Sequence, residues 1–413
     1  MNPADTRPKP EPVETVAAGP DGVLLIAILA LVAIGLVMVY SGSAFFAAKV
    51  YGGSTYFLKR HALWCALGLG LMTLGARADF VIWRRLAAPL LFISVALLGL
   101  CLVPAVAQRV GGATRWLRVG PLTFQPSELA KLALVAYLAS VLSSRVAGDG
   151  VRQVEDVGAR PRALLVPILV STLVVLLVLR EPDLGSAMLL AATALLMFFA
   201  AGARVSYLLL AVLVAAPIAY QKLIVGTPWR LRRVLAFLDP WSYRRDVGYQ
   251  ITESLISVGS GGATGKGLGQ GNQKLFFLPE AHTDFVFAVV GQELGLVGLA
   301  LVVLLFATVL WRGARAALRA RDLFGTYLAF GLTASLLLGA LVHMCVVLGM
   351  MPTKGTTLPL VSYGGSAMLA AMLATGVLLN VSSGRPEPAS LRVDRGSKQG
   401  NRRVRARSYG AAA

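Results

Sequence analysis

Apolar residues run along this chain in blocks rather than in alternation. A membrane-crossing helix needs about 20 mostly apolar residues. Blocks of that kind fall at roughly 23–43, 56–76, 86–107, 127–144, 163–179, 185–201, 207–225, 284–311, 323–350 and 366–383. The pattern predicts an all-α integral membrane protein of ten transmembrane helices, with both termini on one side. Residues 23–383 make the membrane domain, and the acidic, proline-rich stretch 1–22 and the basic stretch 384–413 read as disordered tails. The first block is too long for a removed signal peptide and lacks a small-residue cleavage site. Between the seventh and eighth blocks, residues 226–283 contain no spanning segment. Trp229, Phe237, Trp241, Tyr243 and Tyr249 argue for a folded lobe there. Within it, 249–258 (YQITESLISV) reads as a helix lying on the membrane surface.

Composition agrees with a membrane protein: 56% of the residues are hydrophobic and 14% charged, against about 25% charged in soluble domains. Disorder is excluded on that ground. The net charge of +19 would suggest nucleic acid on a soluble chain; here it suggests the cytoplasmic rim of a membrane. With the N-terminus inside, the short cytoplasmic loops hold 12 Lys and Arg, the C-terminal tail eight, and the short outer loops eight. Both ends are therefore expected in the cytoplasm. Cys65, Cys101 and Cys345 all lie in apolar runs, with no disulfide or zinc spacing. The glycine-rich stretch 259–271 fails as a phosphate loop, because Ser260 and Gly267 stand where the pattern needs Gly and Ser/Thr. It reads as a flexible hinge.

Ionisable groups inside or beside the spans are costly, and so point to function. Glu128 and Lys131 begin the fourth span three residues apart, on one helix face, where they can neutralise each other, with Ser127 as a helix cap. Arg115, Trp116 and Arg118 precede them in the loop. Arg180, Glu181, Pro182 and Asp183 make the turn between spans five and six, where Asp183 is an ordinary cap. Asp284 stands at the start of span eight beside His282; it reads either as a cap, like Thr283, or as a carboxylate that takes a proton from a sugar hydroxyl. Glu293, deeper in that span, reads as a paired structural group. Arg230, Arg232 and Arg233 among Trp229 and Trp241 suit lipid headgroups or a diphosphate. Lys354 sits in the helix-breaking stretch 351–366 (MPTKGTTLPLVSYGGS), polar backbone that must line a cavity or be buried in protein.

Five of these segments carry a family likeness: GATRWLRVGPLTFQPSELAK (112–131), REPDLGSA (180–187), GYQITESLISVGSGGATGKGLGQG (248–271), FLPEAHTDFVF (277–287) and LPLVSYGGSAML (358–369). In that order they resemble the SEDS family (shape, elongation, division and sporulation), bacterial membrane glycosyltransferases that polymerise peptidoglycan from lipid II. The likeness runs from about residue 22 to 383, and Thr353-Lys354-Gly355 is more similar to the division branch than to the elongation branch. It implies Asp284 as the essential carboxylate and general base of an inverting, β-1,4-forming reaction. It implies substrate-binding roles for Trp116, Arg115, Glu128, Lys131, Asp183, Arg233 and Lys354, with Trp116 either packing on a sugar face or anchoring its loop. Arg233, Lys131, Lys354 or a divalent cation, magnesium or manganese, would stabilise the departing diphosphate. The implied partners are lipid II, a class B penicillin-binding transpeptidase, other division-complex membrane proteins and membrane lipids, with no nucleic acid. The implied location is the bacterial cytoplasmic membrane at the septum. Phe276 departs from the division pattern, in which an acid often stands there. Two rival roles remain at this stage, a lipid II flippase and a non-catalytic division scaffold.

Overall fold

A computed structural model describes residues 19–104, 107–110, 113–120, 122–146, 162–271 and 278–383. The two predicted tails, apart from residues 19–22, and Phe276 lie outside the described residues. Helix α1 (Gly22–Tyr51) starts where the Asp21 carboxylate accepts from the Leu24 amide at 3.1 Å, and ends at Gly52, whose φ of 72° suits glycine. Then follow α2 (Tyr56–Arg77) and α3 (Phe80–Cys101). Strands β1 (Ala107–Val110), β2 (Ala113–Val119) and β3 (Leu122–Phe124) form an antiparallel sheet in that order. The chain continues through α4 (Pro126–Val146), α5 (Arg162–Arg180), α6 (Leu184–Ala200) and α7 (Val205–Ala219), which runs on as a π-helical turn, Tyr220–Val225. After it come α8 (Pro228–Leu238), α9 (Tyr249–Gly261), α10 (Val286–Arg319), α11 (Leu323–Val347) and α12 (Gly365–Ser382).

Among the described residues, seven helices are long and apolar enough to cross a membrane: α1, α3, α4, α7 with its π turn, α10, α11 and α12. Helices α5 and α6 are shorter and apolar. The chain is a multi-pass membrane protein. The all-α expectation needs one amendment, the three-stranded sheet. Strands of three to seven residues are too short to register as apolar blocks, so the sequence showed only a loop there, and the third block ends as helix at Cys101 rather than at residue 107.

Helices α2 and α12 pack backbone to backbone through glycine. A Cβ at Gly376 would stand 2.3 Å from the Met72 carbonyl oxygen, and one at Gly75 3.2 Å from the Val377 nitrogen. Such close approach is how helices associate without a hydrophobic drive between them. By contrast, no residue of α7 is buried in the protein.

Two expectations about the lobe are overturned. Helix α9 does not lie on the membrane surface: Ile251, Thr252, Glu253, Ser254, Ser257 and Gly261 are buried, and the Ser254 hydroxyl donates to the Val347 carbonyl at 2.8 Å. Its polar residues are what the protein interior receives, which an apolar count on 249–258 could not show. The glycine stretch 259–271 is no hinge either. Helix α10 breaks at Gly295 (φ 64°, ψ −158°), and the break pairs with the stretch. The amides of Lys266 and Gly267 donate to the carbonyls of Gln292 and Glu293 at 3.0 and 3.1 Å; those of Leu296 and Val297 donate back to Gly262 and Ala263 at 2.9 and 3.2 Å. A Cβ at Gly261 would stand 1.9 Å from the Gly291 carbonyl oxygen. These glycines serve close approach, not flexibility. Glu293 sits in the same knot, as expected for a paired structural group. Ser41 of α1 donates to its two oxygens at 2.5 and 2.7 Å, and the Gly269 amide donates at 3.0 Å.

Candidate active site

At the end of the bundle that carries the sheet and the lobe lies a cavity of 1090 Å³. Strand β2 brings Arg115 and Trp116 to its wall, α4 brings Glu128 and Lys131, and α8 brings Arg233. The turn before α10 brings Glu280, Thr283 and Asp284, and the irregular stretch between α11 and α12 brings Lys354, Gly355 and Tyr363. Glu280 and Leu360 have left-handed backbone, with φ of 56° and 66°. Glu280 lines the cavity, and Leu360 follows Pro359, which also lines it. Strain of this kind collects where a fold holds functional groups in place.

Seven of the eight residues singled out from the sequence share this wall: Asp284, Trp116, Arg115, Glu128, Lys131, Arg233 and Lys354. Asp183 does not. It caps α6, accepting from the Ser186 amide at 3.0 Å and hydroxyl at 2.8 Å, and also from the Gln125 side chain at 3.1 Å. It stands behind the wall, joining α6 to the start of α4. Lys131 closes onto Glu128 at 2.8–2.9 Å, as the spacing predicts. Ser127 is not the cap of α4: it lies inside the first turn with its hydroxyl buried and unpartnered. Nor does Thr283 or Asp284 cap α10, which begins after Phe285 with no side-chain cap. The bland reading of Asp284 is thereby removed.

Asp284 and Arg115 both approach Gly355. A Cβ there would stand 3.1 Å from Asp284 Oδ2 and 3.8 Å from Arg115 Nη2. Burial of the Asp284 carboxyl, then the nearby Glu280 charge, push its pKa up to about 7; Arg115, Thr283 and Arg233 offset only part of this. Burial also lowers the pKa of the Lys354 ammonium, against the pull of Asp183. The Arg115 Nε and the Trp116 indole N–H are buried without a partner, so two donors stand uncommitted on β2. Glu181 is fully buried beside the Cys101 thiol, and burial, then Asp183, push it up to about 8.

Sequence reading gave no role to Glu280, Gly355 or Tyr363. Glu280 could have been suspected from its spacing of four before Asp284; the close approach that requires Gly355 has no local signal. No group of three or more His, Cys, Asp and Glu side chains among the described residues could hold a metal ion.

A family model described as "Cell cycle protein", covering FtsW, RodA and SpoVE, matches residues 22–386. The chain belongs to that family. It is 42% identical over 363 residues, 88% of this chain and 95% of the relative, to a Geobacter sulfurreducens protein named "Probable peptidoglycan glycosyltransferase FtsW". Among solved structures it is similar to a chain described under "Structural coordination of polymerization and crosslinking by a peptidoglycan synthase complex". That match has a TM-score of 0.72 at 32% identity and covers 88% of this chain and 97% of the other. The rod shape determining protein RodA of Thermus thermophilus matches with a TM-score of 0.64 at 30% identity, covering 89% and 98% of the two chains.

Proposed function

We propose that the protein polymerises lipid II into β-1,4-linked glycan strands during septal wall synthesis. The membership just described supports this, and the observation that carries it is Asp284, free of any capping duty and within the electrostatic reach of Arg115 and Arg233 at the wall of a cationic cavity. The acceptor sugar's 4-hydroxyl must lose a proton as it attacks the anomeric carbon. Asp284 takes it. A carboxyl with a pKa of about 7 is a better match to that task than an ordinary aspartate, since a general base works best near the working pH. Arg115, Arg233 and Lys354 face the leaving diphosphate, while Lys131, committed to Glu128, holds the wall of α4 in place. Arg115 and Trp116 line the cavity, which favours substrate contact over interfacial anchoring for Trp116.

Magnesium is commonly held by one or two carboxylates together with substrate phosphates. A magnesium or manganese ion here would rest on Glu280 and the diphosphate itself, supplying further charge to the leaving group. Asp183 acts on the site from behind its wall, through α6, Gln125 and its charge on Lys354. With ten spans and both termini in the cytoplasm, as the sequence leads one to expect, the cavity would open at the outer face of the bacterial inner membrane, where a class B transpeptidase would crosslink the product. The test is polymerisation of labelled lipid II by the purified protein with such a transpeptidase. Glycan strands are expected. Translocation of lipid II across liposomes with no polymer would favour the flippase role, and normal division by an Asp284→Ala strain would favour the scaffold.

A further inference from the structure

Beside the cavity, the turn joining α1 to α2 carries an aromatic platform that the mechanism does not use. Tyr51 closes α1 and Tyr56 opens α2, and the left-handed Gly52 between them folds the chain back so that the two rings stack at 4.1 Å and 4°. Arg60 lies over the Tyr56 ring, 4.7 Å from its centroid. Phe57, one residue on, packs edge-on against Tyr363 at 5.3 Å and lies 4.5 Å from the His282 ring. Arg60 and Tyr363 both line the cavity, and His282 is two residues from Asp284. A continuous aromatic wall therefore leads from the base to the outside. It ends on Tyr51, which is 50% exposed.

We propose that Tyr51, Tyr56 and Arg60 form a saccharide-binding shelf that takes the polymer strand as it leaves the cavity; the inference rests on the polymerase reading above. A pyranose has one face of C–H groups and a rim of hydroxyls. Tyr51, backed by Tyr56, offers the matching surface, an apolar ring with a polar tip. Arg60, held over Tyr56 by its own cation–π contact, supplies donors to the hydroxyl rim without having to be ordered first. Tyr51 and Tyr56 are not among the residues lining the cavity that receives the diphosphate, and Arg60 stands at its edge, so the ligand is the glycan and not the lipid-linked donor. A strand held there stays in register for the next addition.

The experiment uses the full chain with its transpeptidase partner in nanodiscs, fed labelled lipid II. Tyr51→Ala shortens the strands at least about threefold and leaves the pH profile and the thermal melting temperature unchanged, while Tyr51→Trp restores length. Wild-type strand lengths from Tyr51→Ala would overturn the shelf and return both tyrosines to a membrane-interface role. Should Tyr51→Ala melt early, Arg60→Gln is read instead, with shortening supporting the shelf and wild-type lengths overturning it. Direct binding separates the shelf from the polymerase reading. If the wild type makes no polymer, a soluble β-1,4-linked N-acetylglucosamine tetramer titrated onto the protein decides: binding weakened about fivefold or more by Tyr51→Ala, a loss near one kilocalorie per mole, supports the shelf, and equal or absent binding overturns it.

Discussion

Two carboxylates stand nine residues apart around the start of α10, and they live under opposite conditions. Glu293 is buried and fully engaged: Ser41 donates to both oxygens, and the Gly269 amide adds a third bond. Asp284 faces a cavity across from arginines, its proton affinity raised by burial and by Glu280. The first is a fastener that ties α1 and the glycine stretch to the broken helix. The second faces the cavity with its ionisation opposed by burial. The partners of each carboxylate, rather than its residue type, separate the two.

The sharpest way to probe that division is to remove each carboxylate in turn. Asp284→Ala is expected to cut polymerisation by about 10²–10⁴, the usual worth of a positioned base, with melting unchanged. Gly355→Val pushes a side chain against Asp284 Oδ2 and Arg115, since even a Cβ there is 3.1 Å from the carboxylate. A displacement of about 1 Å can cost about 10² in rate, and kinetics on folded protein should show a loss of that order. Glu293→Ala inverts the pattern. It leaves the buried Ser41 hydroxyl without its acceptor, at about 1–3 kcal/mol for such a group; denaturation should register the loss, while turnover per folded molecule stays near wild type. The smallest effect concerns pH. The base must be ionised, so activity falls as pH drops through about 7. Glu280→Gln removes a neighbouring negative charge, makes ionisation easier and moves that acid limb to lower pH in a pH–rate profile.

The membrane helices were legible because each is one long apolar block, a signal that survives without knowledge of neighbours. Six of the seven predicted residues that line the cavity were legible as charges in or beside the spans, and Trp116 through the family likeness. Asp183 was drawn in by the same logic, yet its charge is absorbed by capping α6. What stayed hidden depends on partners distant in the chain. The sheet needs pairing between Gln108 and Trp116. The glycine stretch looked like a hinge until Gly291 and Glu293 were seen against it. The buried side of α9 is polar because its partners, α10 and the end of α11, offer hydrogen bonds.

The most direct test of Asp284 as the base is the rate at which equal amounts of folded wild-type and Asp284→Ala protein, each with a class B transpeptidase, polymerise labelled lipid II. A loss of about 10² or more with an unchanged melting temperature is the expected result; equal rates would contradict it.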